Sequence, residues 1–364
     1  MTEKVLQRDL KYTITGRDYS LVALWAAALV LLYMMAGGFG VHKLQRYKTH
    51  TAQFRQDWIN SPIIGPAVET TDLVSPGETG PVDVNVGIYI DHIGEFSVRE
   101  NRWTADFDVW FSWTGDQVHP GETFEIVDGQ VEHQEKIESH SQGDQHYERY
   151  RIRARILKFI DTSRFPFNDE ELGIRIEEKI DSTKKLRYVA DTQKSGIDPQ
   201  AIRRFLSITK SGVFVKDHAR GADRHMHSRF IYAMLISPLG TDIYVKMFQG
   251  LFASVAVALF ALFIRPTHFG SKFSLGIGAF FAVIGNNIAL GITVLGSTKL
   301  SLADMVTGIG LATIFLVLAE SVISLYVFDS KGREKLSRLL DKTTFVILLL
   351  GFVIVNVLLP LAAR

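Results

Sequence analysis

Gly270-Ser271-Lys272-Phe273-Ser274-Leu275-Gly276-Ile277 opens an apolar run that continues to Leu295. At helical spacing, the residues following from Ser274 on one face are Gly278, Phe281, Gly285, Ile288 and Ile292. That face begins with a hydroxyl and then alternates small and large. Two uses fit it. Small residues on a membrane helix let a neighbouring helix approach closely. Alternatively, the face lines a water path that narrows at one bulky ring. The pattern alone leaves both open.

Four further stretches approach the roughly 20 apolar residues that a helix needs to cross a bilayer. They are Tyr19–Val41, Met247–Ile264, Met305–Phe328 and Thr344–Ala363, and Phe273–Leu295 makes five. His42–Asp242 is polar and long enough for a folded domain. Basic residues cluster before the first span (Lys4, Arg8, Lys11, Arg17), before the third (Arg265, Lys272) and before the fifth (Lys331, Arg333, Lys335, Arg338, Lys342). Five spans put all three clusters on one side, which the positive-inside rule makes cytoplasmic. The large domain and Arg364 then lie outside. The first span reads as a retained anchor rather than a signal peptide. Its polar lead is long, its apolar core exceeds a signal core, and no small-x-small cleavage site follows. The expected plan is a cytoplasmic N-terminus and anchor over 1–41, a linker over 42–81, an exported domain over 82–242 and a four-helix membrane domain over 243–364.

In the exported domain, Val82–Ile93, Trp103–Trp113, Tyr147–Leu157, Leu172–Glu177, Phe205–Val215 and Arg229–Ile236 alternate or are rich in β-branched and aromatic residues. Turn residues separate them, and the expected fold is an all-β sandwich. Lys43–Ile59 reads as a short polar helix. With 40 Lys+Arg against 39 Asp+Glu there is no nucleic-acid footprint, and with no cysteine the exported domain has no disulfide. No phosphate loop, nucleophile elbow or paired nucleophile and base is present, so the chain does not read as an enzyme and calls for no cofactor.

Three motifs carry a family resemblance. Gly270–Ile277 resembles the start of the pore-lining helix of pentameric ligand-gated ion channels, the Cys-loop receptor superfamily. Gly87-Ile88-Tyr89 followed by Trp113 is similar to that family's first hairpin and its buried tryptophan. Phe165-Pro166-Phe167-Asn168, some 80 residues before the apolar block, is similar to its aromatic-Pro-Phe-Asp loop. The resemblance covers roughly residues 82–363 and points to the prokaryotic form without the disulfide, here with an extra N-terminal span. It implies a homopentameric ion channel in the bacterial inner membrane, with a periplasmic domain controlling passive ion flow. The second channel helix would line the pore and Phe281 would be its hydrophobic gate. Arg99, Glu100 and Asn101, Phe165–Asn168, and Ser297, Thr298 and Lys299 would form the gating interface. Partners would be other copies of the chain, membrane lipids, and a small ligand, proton or divalent cation as agonist.

The chain also departs from the family. The Trp113–Tyr147 segment is too short for every strand placed there. The hairpin tip His218–Ser228 has no aromatic residue, so a cage for a quaternary amine is not expected. No proline interrupts Met247–Ile264. Ser271 stands where the family's cation channels carry a carboxylate, so any selectivity should be weak and cation-leaning. Lys272 is expected to face neighbouring helices or the cytoplasmic interface, not to act as an anion filter. Among polar residues at membrane depth, Asn287 is expected to bond another helix; Glu320, near the cytoplasmic end, is a candidate proton sensor. His133, His140, His146, His225 and His227 are candidates for proton or divalent-cation modulation, or else belong to a solvated polar loop. A second reading is a non-conducting membrane receptor or scaffold of the same fold.

Overall fold

The computed structural model describes residues 15–60, 80–202, 206–220, 225–238, 242–294, 299–331 and 333–364. The chain divides into two compact units. One contains the strands, as 51–161 and 168–240. The other contains five long apolar helices and takes 1–50, 162–167 and 241–364.

The strand unit has two sheets. β1 (Val82–Ser97), β2 (Arg102–Thr114), β4 (Gly129–Gln142), β5 (Gln145–Leu157) and β7 (Leu186–Ala190) run in the order β4-β5-β2-β1-β7, with the two-residue β8 (Gly196–Ile197) also on β1. β3 (Phe124–Ile126), β6 (Glu170–Glu178), β9 (Leu206–Arg220) and β10 (His225–Pro238) form the other, ordered β3-β6-β10-β9. Alternation explains the layering. Val84, Val86, Ile88 and Ile90 of β1 point inward, as do Trp103, Phe107 and Phe111 of β2 and Tyr150, Ile152 and Ile156 of β5. They share one core with Leu172, Ile174 and Ile176 of β6 and Phe230, Tyr232 and Met234 of β10. Trp113 is buried, and Trp103 is buried completely. The outward positions of β5 are Arg149, Arg151, Arg153 and Arg155. They bind carboxylates across the strands: Asp108 takes Arg149 at 2.6 Å and Arg151 at 3.0 Å, Asp106 takes Arg153, and Glu132 takes Arg155.

All six expected strands form, each lengthened at one or both ends. The segment between β2 and β5 holds more than its composition suggested: a one-turn helix (Pro120–Thr123), β3 and the 14-residue β4. Except for Gly129, every residue of β4 is exposed. It therefore shows no apolar period, and the histidine-rich loop expected there is an edge strand paired with β5 from Gly129 to Gln142.

The helical unit contains α1 (Gly16–Asn60) as far as His50, α3 (Asp242–Phe260), α4 (Phe269–Val294), α5 (Leu302–Lys331) and α6 (Glu334–Ala363), the one-turn helix above being α2. Two 3₁₀ turns, Ala261–Phe263 and Pro266–His268, join α3 to α4. The expected break after Val41 is absent. No glycine or proline follows Gly40 before Asn60, and the polar Lys43–Ile59 segment simply prolongs α1. Residues 61–79 of the expected linker lie outside the described residues.

α1 is built into this unit. Leu29, Tyr33 and Leu44 are buried in its core. The Tyr33 hydroxyl lies 2.5 Å from Thr313 Oγ1 on α5, and the Trp25 indole donates to Thr344 on α6. At one end of the unit, Arg333 binds Asp18 at 2.9 Å and Lys272 binds Asp341. At the other, the Leu302 N–H donates to the Ser163 carbonyl, Arg164 donates to the Ala363 carbonyl at 2.7 Å, and Lys299 sits 5.9 Å from the Tyr47 ring centre. Tyr244, at the start of α3, donates to Asn356 near the end of α6. Successive long helices thus alternate in direction, and all five are long and apolar enough to cross a membrane.

Trp103→Ala empties the largest buried site in the strand core and should destabilise that unit by about 3–5 kcal/mol. Ile137→Ala, on exposed β4, should change stability by less than about 0.5 kcal/mol. Urea titration of the full-length protein, followed by tryptophan fluorescence in both backgrounds, checks the contrast.

Candidate functional site: the open face of α4

α4 has two unlike faces. Lys272, Gly276, Ala279 and Val283 are buried, and Asn286 is half-buried. Ser274, Gly278, Phe281, Gly285 and Ile288 are exposed. At roughly 100° per residue these sets lie on opposite sides of the helix. Phe281 is 65% exposed and Ile288 60%. Neighbouring Phe280 is half-buried and packs against the helical core. The side chain of Ile292 lies outside the described residues.

The glycines of the two faces differ in what surrounds them. A Cβ on Gly276 would come within 2.4 Å of Leu318 Cδ2, and one on Gly310 within 2.7 Å of Leu251 Cδ1. Those glycines permit close helix packing. A Cβ on Gly278 or Gly285 meets nothing within 4 Å. Among the described residues, the two glycines of the exposed stripe pack against no other helix.

Asn287, expected to bond another helix, is exposed, whereas Asn286 is half-buried and lies against α3. Its Oδ1 occupies space that a Cβ on Gly250 of α3 would approach to 2.9 Å. At roughly 100° per residue both asparagines lie about equally far from the centre of the 272–276–279–283 stripe, so periodicity does not separate them. Lys272 does turn inward. Its ammonium lies 3.3 Å from Glu320 Oε2 and 2.5 Å from Asp341 Oδ1, with all three side chains at most 5% exposed. Nothing in the sequence had singled out Asp341, because the three residues sit in three separate spans.

The expected gating residues fall in both units. Arg99, Glu100 and Asn101 form the β1–β2 turn of the strand unit. Asn101 has φ 50° and accepts the Ile160 N–H through its side chain. Phe165, Pro166 and Phe167 belong to the helical unit, where the Phe167 ring packs 6.0 Å from Tyr244. Asn168 begins the return to the strand unit and is buried. Lys299 is placed as above; Ser297 and Thr298 lie outside the described residues.

The histidines do not form one site. His140 and His146 line a cavity of about 100 Å³ with Trp113, Asp116, His119, Tyr147 and Glu148. His146 stacks on Trp113, with Nε2 3.0 Å from Asp116 Oδ1 and Nδ1 2.9 Å from Ser141 Oγ. His140 stacks on Tyr147. Beside this cavity, hydrogen bonds to Glu148 and Tyr150 hold the Lys136 ammonium above the usual lysine range, and burial, followed by Glu148, pushes the Tyr150 hydroxyl up to about 12. His133 is exposed near Glu135, His225 is exposed opposite Arg220, and His227 is buried opposite His218. Among the described residues, no three His, Asp or Glu side chains are placed to hold a metal ion. His119 and Asp116 were missed in the sequence because the turn that brings them to the β4–β5 hairpin has no spacing signature.

No protein-family model matches the chain, and no curated protein matches it.

The two faces of α4 predict unequal tolerance. Gly276→Val should lower the yield of folded protein and its melting temperature, because Leu318 has to move. Gly278→Val should leave both unchanged within error. Size-exclusion chromatography and thermal melts in detergent check this, and equal losses would refute the face assignment.

Proposed function

We infer that the chain is one subunit of a homopentameric ion channel of the ligand-gated type. In this reading α4 lines the pore, α3, α5 and α6 surround it, and the two-sheet unit is a β-sandwich that controls opening. The observation that carries the reading is the open stripe of α4. Two glycines that pack against none of the described residues flank Phe281, and they leave width above and below a ring of five phenylalanines. An apolar neck of that kind stops ions because water is unstable in it. Closed five-fold symmetry lets one stripe per subunit enclose a path. Without a carboxylate beside Lys272, and with Lys272 buried, the pore has no strong electrostatic filter, and weak cation preference is expected. The basic clusters place the N-terminus and the α5–α6 junction in the cytoplasm and the strand unit in the periplasm of a bacterial inner membrane. The stimulus falls within the class of small ligands, protons or divalent cations. α1, built into the helical core, is retained as an anchor.

The reading is tested by mass measurement in nanodiscs and by recording from planar bilayers. A pentamer is expected. Phe281→Ser shortens the ring and offers water a partner, so unstimulated leak should rise. Phe280→Ser should instead lower the amount of assembled protein, because a hydroxyl enters a packed interior. A monomer or dimer, or a silent but assembled Phe281→Ser, overturns the channel; an assembled, non-conducting pentamer in every background indicates a receptor or scaffold.

The orientation has its own check. Cysteines replacing Gln134 and Lys342, both exposed, should react with an impermeant thiol reagent from opposite sides of the membrane.

A further inference from the structure

Three helices converge on one charged cluster that is closed to solvent. Lys272 stands in the first turns of α4, Glu320 on α5 and Asp341 on α6; the first two are 1% exposed and the third 5%. The ammonium donates to Glu320 Oε2 and to Asp341 Oδ1. Glu320 Oε1, equally buried, receives no hydrogen bond from any donor. Both carboxylates contact the same ammonium, so the two acids stand side by side. Two carboxylates are both acceptors, and they can bond to each other only through a proton.

The charge count leads to the same place. Two carboxylates against one ammonium leave a full negative charge in a dry interior, which is far more costly than a neutral cluster. Among the described residues, no second cation lies within ion-pair distance of either carboxylate. On α6, Lys342 is exposed, and Ser337 bonds Ser324 of α5. On α5, Ser321 donates to its own helix at Val317. On α1, Asp18 is held by Arg333, and Trp25 bonds Thr344. On the turn before α4, Arg265 and His268 are exposed.

We propose that Glu320 and Asp341 share one proton, making the Lys272–Glu320–Asp341 cluster a proton-binding site inside the membrane unit. The ammonium balances one carboxylate and the shared proton neutralises the other. The site needs only the packing of three helices and holds whether or not α4 lines a pore. If it does, the same proton ties the first turns of the pore helix to α5 and α6.

Infrared spectroscopy of the full-length protein in nanodiscs at near-neutral pH tests this directly. The wild type should show the C=O stretch of a protonated carboxyl group, shifting in heavy water. Glu320→Gln and Asp341→Asn each leave one carboxylate for one ammonium, an ordinary ion pair, so each difference spectrum should show the loss of one such group. Two variants are used because either could fail to fold; chromatographic profile and melting temperature identify one that has folded. Absence of the band from the wild type, or its undiminished presence in a folded variant, overturns the proposal. A silent channel with the band intact would count against the pore alone.

Discussion

Polar groups carried into an apolar interior must find partners there, and that constraint organises the helical unit. Backbone groups satisfy it through the helices themselves. The side chains satisfy it pairwise between helices: Tyr33 with Thr313, Trp25 with Thr344, Tyr244 with Asn356, and Lys272 with Glu320 and Asp341. Because each pair joins different helices, their register and direction are fixed together. Once Lys272 is committed inward, the face carrying Ser274, Gly278, Phe281, Gly285 and Ile288 is directed out of the chain.

Much of this was legible in the sequence because two periods are hard to counterfeit. Alternation at two residues marks β1, β2, β5, β6 and β10, each of which has one face in the core. Recurrence at three and four residues separates Phe281 from Phe280 on α4. What stayed hidden had no such period. β4 exposes both faces, so its composition is that of a loop. β7 has five residues, and its pairing with the far part of β1 is parallel and non-local. α1 could not be followed past Val41 because polarity was taken for an end, although nothing in Lys43–Ile59 breaks a helix.

At the candidate site, the open stripe was readable because it lies on one helix. The charged cluster was not, since Asp341 lies before the apolar run Thr344–Ala363 and reads as a surface residue until α6 is laid beside α4. Asn286 and Asn287 differ by a single 100° step, and only the neighbouring Gly250 decides which one turns inward. The tryptophan that the family resemblance marks, Trp113, is buried but shares that role with Trp103, which alternation alone places in the core.

The short excursion Thr162–Phe167 has a topological consequence. The chain passes between the two units at 50–51, 161–162, 167–168 and 240–241. No single cut therefore yields the strand unit whole and clean. A fragment excised as 82–240 would carry six residues whose partners, the Ala363 carbonyl, the Leu302 amide and the Tyr244 ring, were left behind. Arg164 and Phe167, buried in the intact protein, would then face water on an otherwise finished domain. The hexapeptide acts as a stitch, and exchanging strand units between related chains would succeed only if the matching stitch were transferred with its anchor points.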